Sequence, residues 1–92
     1  MPKCTMSLPD TMSSRINDQD LFQTSAENVE EALSNLLNDY SELRDIIYDE
    51  SQNIRRFINI FVDGVNIKDT EGILTEIKLD AEITILAAIA GG

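Results

Sequence analysis

The run from Arg56 to Val62 limits the folds open to this chain more than any other stretch. Its aliphatic residues fall on even positions and its aromatic residues on odd positions: Ile58, Ile60 and Val62 against Phe57 and Phe61. Such alternation is typical of a β-strand within a sheet. Asp63-Gly64 is a short turn signal and Val65-Asn66-Ile67 continues beyond it, so we predict a β-hairpin.

Shorter alternating runs surround one helical stripe. The segments Lys3 to Leu8, Leu21 to Thr24 and Glu82 to Leu86 predict three further strands. Apolar residues at positions 29, 33, 36, 37 and 40 form one face of an amphipathic helix, which we expect to begin after Asn28, with Thr24 as an alternative cap. Apolar residues at 43, 46 and 47 suggest a further turn or short helix. This order predicts an α+β fold in which one main helix covers one face of a small mixed sheet.

A single covering helix leaves the other sheet face open. By their parity, Phe57 and Phe61 lie on that face, and Leu86 joins them from the last strand. An exposed apolar patch generally marks an interaction site, so these three residues are the predicted partner-docking face. The alternative is that they fill a secondary core beneath a loop.

Charge and composition exclude several classes of partner. The formal net charge is −10, from 17 acidic and 7 basic residues, which opposes binding to nucleic acid and to anionic membranes. The basic pair Arg55-Arg56 follows Asp49 and Glu50 and predicts no basic patch. No apolar run approaches the ~18 residues of a membrane span, and the first residues lack the apolar core of a signal peptide. With Cys4 as the single cysteine, we expect a cytoplasmic protein without internal disulfides.

The chain carries no recognisable active site of its own. It has no histidine, no phosphate-binding glycine motif and no EF-hand loop, so we expect neither an enzyme nor a metal protein. The sequence closes on Ala90-Gly91-Gly92, and glycines can thread a channel too narrow for other residues. We therefore predict a folded domain over residues 1–86 and a flexible tail over residues 87–92. The alternative is an ordinary frayed end.

Several stretches together resemble the ubiquitin-like sulfur-carrier family, which includes MoaD-like molybdopterin synthase small subunits and ThiS-like thiamine carriers. They are Arg55 to Gly64, the Glu71-Gly72 loop, Lys78 to Ile85 and the Ala-Gly-Gly ending. The Arg-Arg-Phe-Ile-Asn-Ile-Phe-Val run is most similar to the branch that carries sulfide for cysteine biosynthesis. The resemblance implies a β-grasp fold in which Gly92 carries the reactive carboxylate and Gly91 and Ala90 allow threading.

The resemblance also implies a set of partners. An E1-like adenylyltransferase would adenylate Gly92 with ATP, and a sulfur donor protein or sulfide would convert the adenylate to a thiocarboxylate. The acceptor would be a cysteine synthase-like enzyme or a molybdopterin synthase large subunit. The chain itself would bind no cofactor, and it would count as an enzyme subunit only in the molybdopterin synthase case.

The sequence departs from the family pattern at two positions. Asp80 stands where relatives often have glycine, and because aspartate tolerates left-handed geometry we expect the turn to survive. Ala87 stands where relatives often have proline.

Two alternative functions stay open. They are a protein modifier joined to lysines through Gly92, and a non-covalent binding module that does not need its tail.

Overall fold

A five-stranded mixed sheet is the centre of the computed structural model, which describes residues 1–88. The strands are β1 (Lys3–Ser7), β2 (Leu21–Ser25), β3 (Ile58–Val62), β4 (Val65–Asn66) and β5 (Ala81–Ala87). Their order across the sheet is β2-β1-β5-β3-β4. β1 and β5 run parallel, and the other neighbours are antiparallel. This confirms the predicted α+β class and places β5 at the middle of the sheet.

The main helix, α2 (Val29–Asp39), begins where the sequence predicts. The backbone amide of Glu31 donates to the Asn28 side chain at 2.9 Å, which caps the helix. The Glu31 carboxylate in turn accepts from the amide of Glu27 at 3.2 Å. The cap is therefore Asn28 rather than Thr24, and the returning contact reaches one residue further back than in the usual capping box.

The hydrophobic core lies between α2 and one face of the sheet. Side chains from both layers are fully buried, among them Met6, Leu33, Leu36, Ile60 and Ile85. Every second residue of the central strands points into this core, which follows from the period of two in a strand. The burial therefore separates a covered face from an open face.

The shorter elements differ in detail from the prediction. The chain also forms α1 (Asp10–Ser13), α3 (Arg44–Ile47) and 3₁₀ turns at Ser41–Leu43, Ile67–Asp69 and Gly72–Leu74. The helical turn α1 was not predicted; Met12 within it and Ile16 just after it are buried. β3 starts at Ile58 rather than Arg56 because the amide of Ile58 closes a turn on the carbonyl of Arg55 at 3.0 Å.

The predicted hairpin turn is present. Asp63 and Gly64 have φ of 49° and 85°, which is the pair of positive values that a type I′ turn requires. The Asp63 side chain also accepts a hydrogen bond from the amide of Glu82 at 2.9 Å. This contact fixes the hairpin to the start of β5. Within residues 1–88, no helix has the length and apolar character needed to cross a bilayer.

Candidate functional site

The last described residues of the chain are held at the open face of the sheet. β5 pairs with β3 from Ile83 to Ala87, and the amide of Ala88 extends this pairing by donating to the carbonyl of Phe57 at 2.8 Å. The predicted reactive and threading residues Gly92, Gly91 and Ala90 lie outside the described residues. The segment that contains them therefore starts beside Phe57.

The register brings the three predicted docking residues together. Leu86 lies opposite Asn59. Phe57 and Phe61 are the residues two positions before and after Asn59, so both are diagonal neighbours of Leu86. Diagonal neighbours across antiparallel strands are about 7–8 Å apart, within reach of aromatic side chains. We call this set of Phe57, Phe61 and Leu86 the docking face.

The docking face is accessible in the described part of the chain. Leu86 is 49% exposed and Phe57 is 37% exposed, whereas Phe61 is half-buried. Two apolar side chains at this exposure on one sheet face are available for burial against a partner. Their use in docking stays a prediction, but the geometry that it requires is present.

Leu21 extends the open face toward the far edge of the sheet. It is 50% exposed and pairs with Ser7, which pairs in turn with Thr84, the residue opposite Phe61. The sequence analysis placed Leu21 in a strand but assigned it to no face. The signal was its alternation with Phe22, which packs toward the core in an edge-to-face contact with Tyr40, the two ring centroids being 6.1 Å apart.

The turn before β5 fixes the strand that carries Leu86. Asp80 has φ of 60°, so this residue adopts the left-handed conformation that was expected where relatives have glycine. Its amide donates to the carbonyl of Lys3 at 2.9 Å. The β1–β5 pairing begins next to this contact, and the turn therefore survives the replacement of glycine by aspartate.

The one cysteine of the described residues is not placed as a reactive thiol. Cys4 is buried in the core, and burial raises the pKa of its thiol, which disfavours the reactive thiolate. Among residues 1–88, no group of three or more His, Cys, Asp and Glu is arranged to hold a metal ion. Cys4 is therefore part of the core rather than an exposed thiol.

Comparison with known proteins gives both a family match and a relative that is similar over nearly the whole chain. A sequence model of the ThiS family matches residues 8–92. The sulfur carrier protein CysO of Mycobacterium tuberculosis is 29% identical over 90 residues, which span 96% of this chain and 97% of that protein. The similarity therefore runs through the docking face and the glycine ending alike.

Two solved structures share the fold. The small archaeal modifier protein 1 of Methanosarcina acetivorans superposes with a TM-score of 0.88 at 26% identity, covering 100% of this chain and 98% of that one. A chain in the BexX/CysO complex of Amycolatopsis orientalis superposes with a TM-score of 0.86 at 24% identity, covering 97% and 99%. The fold is thus the ubiquitin-like β-grasp fold that the sequence predicts.

Proposed function

Because this chain belongs to the ThiS family and is a sulfur carrier protein of that type, we propose that Gly92 carries the sulfur as a thiocarboxylate. The family is one of carriers rather than enzymes. The observation that supports this proposal is the position of the docking face. Its residue Phe57 accepts a hydrogen bond from the amide of Ala88, and the Ala90-Gly91-Gly92 segment begins two residues later.

The proposed chemistry proceeds in two steps on a partner enzyme. The Gly92 carboxylate attacks the α-phosphorus of ATP and displaces pyrophosphate, which gives an acyl-adenylate. A sulfide or persulfide sulfur then attacks the acyl carbon and expels AMP, and a persulfide donor is released by a thiol that reduces the S–S bond. An E1-like adenylyltransferase is the proposed catalyst, and ATP is its co-substrate rather than a cofactor of this chain.

Covalent geometry explains why docking and chemistry must involve the same partner. Residues 89–92 can span at most about 14 Å, at ~3.3–3.6 Å per residue. While Ala88 stays paired with Phe57, the partner's ATP site must therefore lie within that distance of Ala88 when Gly92 reacts. Burial of Phe57 and Leu86 by the partner would offset the ~1–2 kcal/mol per residue that ordering the segment costs.

The acceptor determines which product receives the sulfur. We propose a cysteine synthase-like acceptor, with the molybdopterin synthase large subunit as the alternative, in the cytoplasm. The CysO chain of Amycolatopsis orientalis was solved in a complex with BexX, so a chain of this fold does bind a second protein.

Mass spectrometry of the intact protein tests the proposal. Incubation with ATP, the cognate activating enzyme and sulfide should raise the mass by the difference between one sulfur and one oxygen atom. A variant that lacks Gly91 and Gly92 should keep its mass, whereas a Leu74→Ala variant, changed away from the docking face, should react normally. An unchanged mass of the native chain with an activating enzyme that modifies a known carrier would refute the proposal.

A protein-modifier function is the second candidate, and it is favoured by the similarity to small archaeal modifier protein 1. In that case the activated Gly92 forms an amide with a target lysine and expels AMP. Conjugates that persist after boiling with reductant, and that disappear when Gly92 is deleted, would establish it. Their absence from a lysate in which the thiocarboxylate forms would exclude this function there.

A further inference from the structure

A lysine ammonium lies beside the docking face. The Nζ of Lys68 is 3.5 Å from the side-chain oxygen of Asn59. Asn59 lies opposite Leu86 on the neighbouring strand β5. Along the chain it is flanked on the same face of the sheet by Phe57 and Phe61, two positions before and after it. The contact therefore places a positive charge next to the polar side chain that the three docking residues surround.

The β3–β4 hairpin explains how a residue outside the sheet reaches this position. β4 pairs Asn66 with Phe61 in an antiparallel register. The same register, continued by two residues, would set Lys68 opposite Asn59. Although β4 ends at Asn66, the amide of Lys68 donates to the Asn66 side chain at 2.9 Å as the 3₁₀ turn Ile67–Asp69 begins. Lys68 therefore lies next to β3 where a further residue of β4 would lie.

The contact with Asn59 does not neutralise the charge of Lys68. The acceptor is an amide oxygen without formal charge, and a lysine ammonium has three N–H donors, so it can bind further acceptors. Lys68 is exposed, and it is one of seven basic residues in a chain of net charge −10. On the same face of β5, the carboxylate of Glu82 is four residues from Leu86, or about 13 Å along the strand. The docking face thus has a positive charge beside it on a protein that is acidic overall.

Resting on the proposed function, we propose that the activating enzyme sets an Asp or Glu carboxylate against Lys68 when it covers the docking face. Burial of Phe57 and Leu86 would also remove water from the neighbouring ammonium, and a charge that loses water is costly unless it is paired. The enzyme surface would then be basic at long range, to attract an acidic chain, but acidic at this position. That contrast would fix the orientation in which the glycine segment enters the enzyme.

The test compares two lysines of the full-length protein in ATP–pyrophosphate exchange with the cognate activating enzyme. Lys68→Gln and Lys78→Gln each change the net charge by one unit, from −10 to −11. Lys78 is also exposed, but it borders Val62 and Glu76 rather than a docking residue. Long-range attraction treats the two variants alike, whereas local pairing affects only Lys68. Lys68→Gln should therefore have a KM roughly 2- to 5-fold above that of Lys78→Gln, with the effect on KM rather than on kcat.

Three further variants separate charge from packing. Lys68→Arg keeps the charge and should keep the native KM, whereas Lys68→Glu changes it by two units and should raise the KM roughly 4- to 25-fold. Asn59→Asp provides a carboxylate within the chain itself and should raise the KM at least as much as Lys68→Gln.

Two results would overturn the inference while the native chain still reacts. They are an equal KM for Lys68→Gln and Lys78→Gln, and a KM for Lys68→Arg as high as that for Lys68→Gln. In either case the mass change at Gly92 and the proposed function stand. A native chain that gains no sulfur with a competent activating enzyme would instead refute the proposed function, and this inference with it.

Discussion

Replacing Leu86 by alanine tests whether the docking face drives recognition by the activating enzyme. Fully burying a leucine side chain contributes about 1.5–3 kcal/mol. Leu86 is already half covered, with 49% of its surface exposed. A partner can therefore bury about half of it, which is worth about 0.7–1.5 kcal/mol and corresponds to an affinity about 3- to 12-fold weaker in Leu86→Ala.

A variant at the neighbouring residue, Ile85, distinguishes an effect on docking from an effect on folding stability. Ile85 points to the core and is only 1% exposed. Ile85→Ala should cost about 2–5 kcal/mol of folding stability, and the melting temperature should fall by about 4–8 °C for each kcal/mol. Leu86→Ala, as a surface change, should stay within about 0.5 kcal/mol of the native stability.

The assay is titration calorimetry with the activating enzyme, accompanied by the KM for this chain in ATP–pyrophosphate exchange. Leu74→Ala is the matched control, because Leu74 is 59% exposed in a 3₁₀ turn away from the docking face. If Leu86→Ala binds as tightly as Leu74→Ala while remaining folded, the docking face does not contribute to recognition and the argument from its exposure is wrong.

Three further predictions concern the fold that supports this face. Asn28→Ala removes the acceptor for the Glu31 amide and should cost about 1 kcal/mol, whereas Asn28→Ser should retain most of the stability; thermal unfolding distinguishes them. Asp80 has a φ of 60°, so Asp80→Gly should keep or raise the free energy of unfolding measured with denaturant. Asp80→Val should lower that free energy by at least ~1 kcal/mol. Equal free energies of unfolding for the two variants would contradict the argument that this turn is strained. Burial raises the pKa of Cys4 above its ordinary 9.0, so the folded state favours the neutral thiol. The free energy of unfolding relative to Cys4→Ala should therefore be constant below about pH 9 and should fall as the pH rises beyond it; a difference that changes between pH 6 and 8 would refute this.

The elements that sequence reasoning placed correctly are those with a strong local signal. Residue parity assigned Phe57 and Phe61 to the face opposite Ile60, and the cap at Asn28 set the start of α2. The helical turn α1 was missed because four residues, Asp10–Ser13, are too short to show a helical period. The buried Met12 and Ile16 are nevertheless the two apolar residues of an otherwise polar stretch.

Local sequence patterns could not predict which residues come together from parts of the chain that are distant in the sequence. The sequence could place Arg55-Arg56 beside acidic residues, and it therefore indicated no basic patch. Only the short β4 and the 3₁₀ turn after it bring Lys68 next to Asn59, whose side-chain oxygen accepts from Lys68 Nζ at 3.5 Å. Charge patches depend on such long-range placement, whereas the face of a strand residue depends only on its parity.

Strand β3 separates the docking face from the core through one alternation. Asn59 and Phe61 face the side of the docking face, and Ile58 and Ile60 are part of the core. A one-residue slip would exchange these sets, placing aromatic rings toward α2 and exposing the isoleucines. The Asp63-Gly64 turn and the contact between Asp63 and Glu82 oppose that slip from one end, and the pairing of Phe57 with Ala88 opposes it from the other. The pairing of Ala88 with Phe57, after which the glycine segment follows, therefore also keeps the docking face and the core on opposite sides of the sheet.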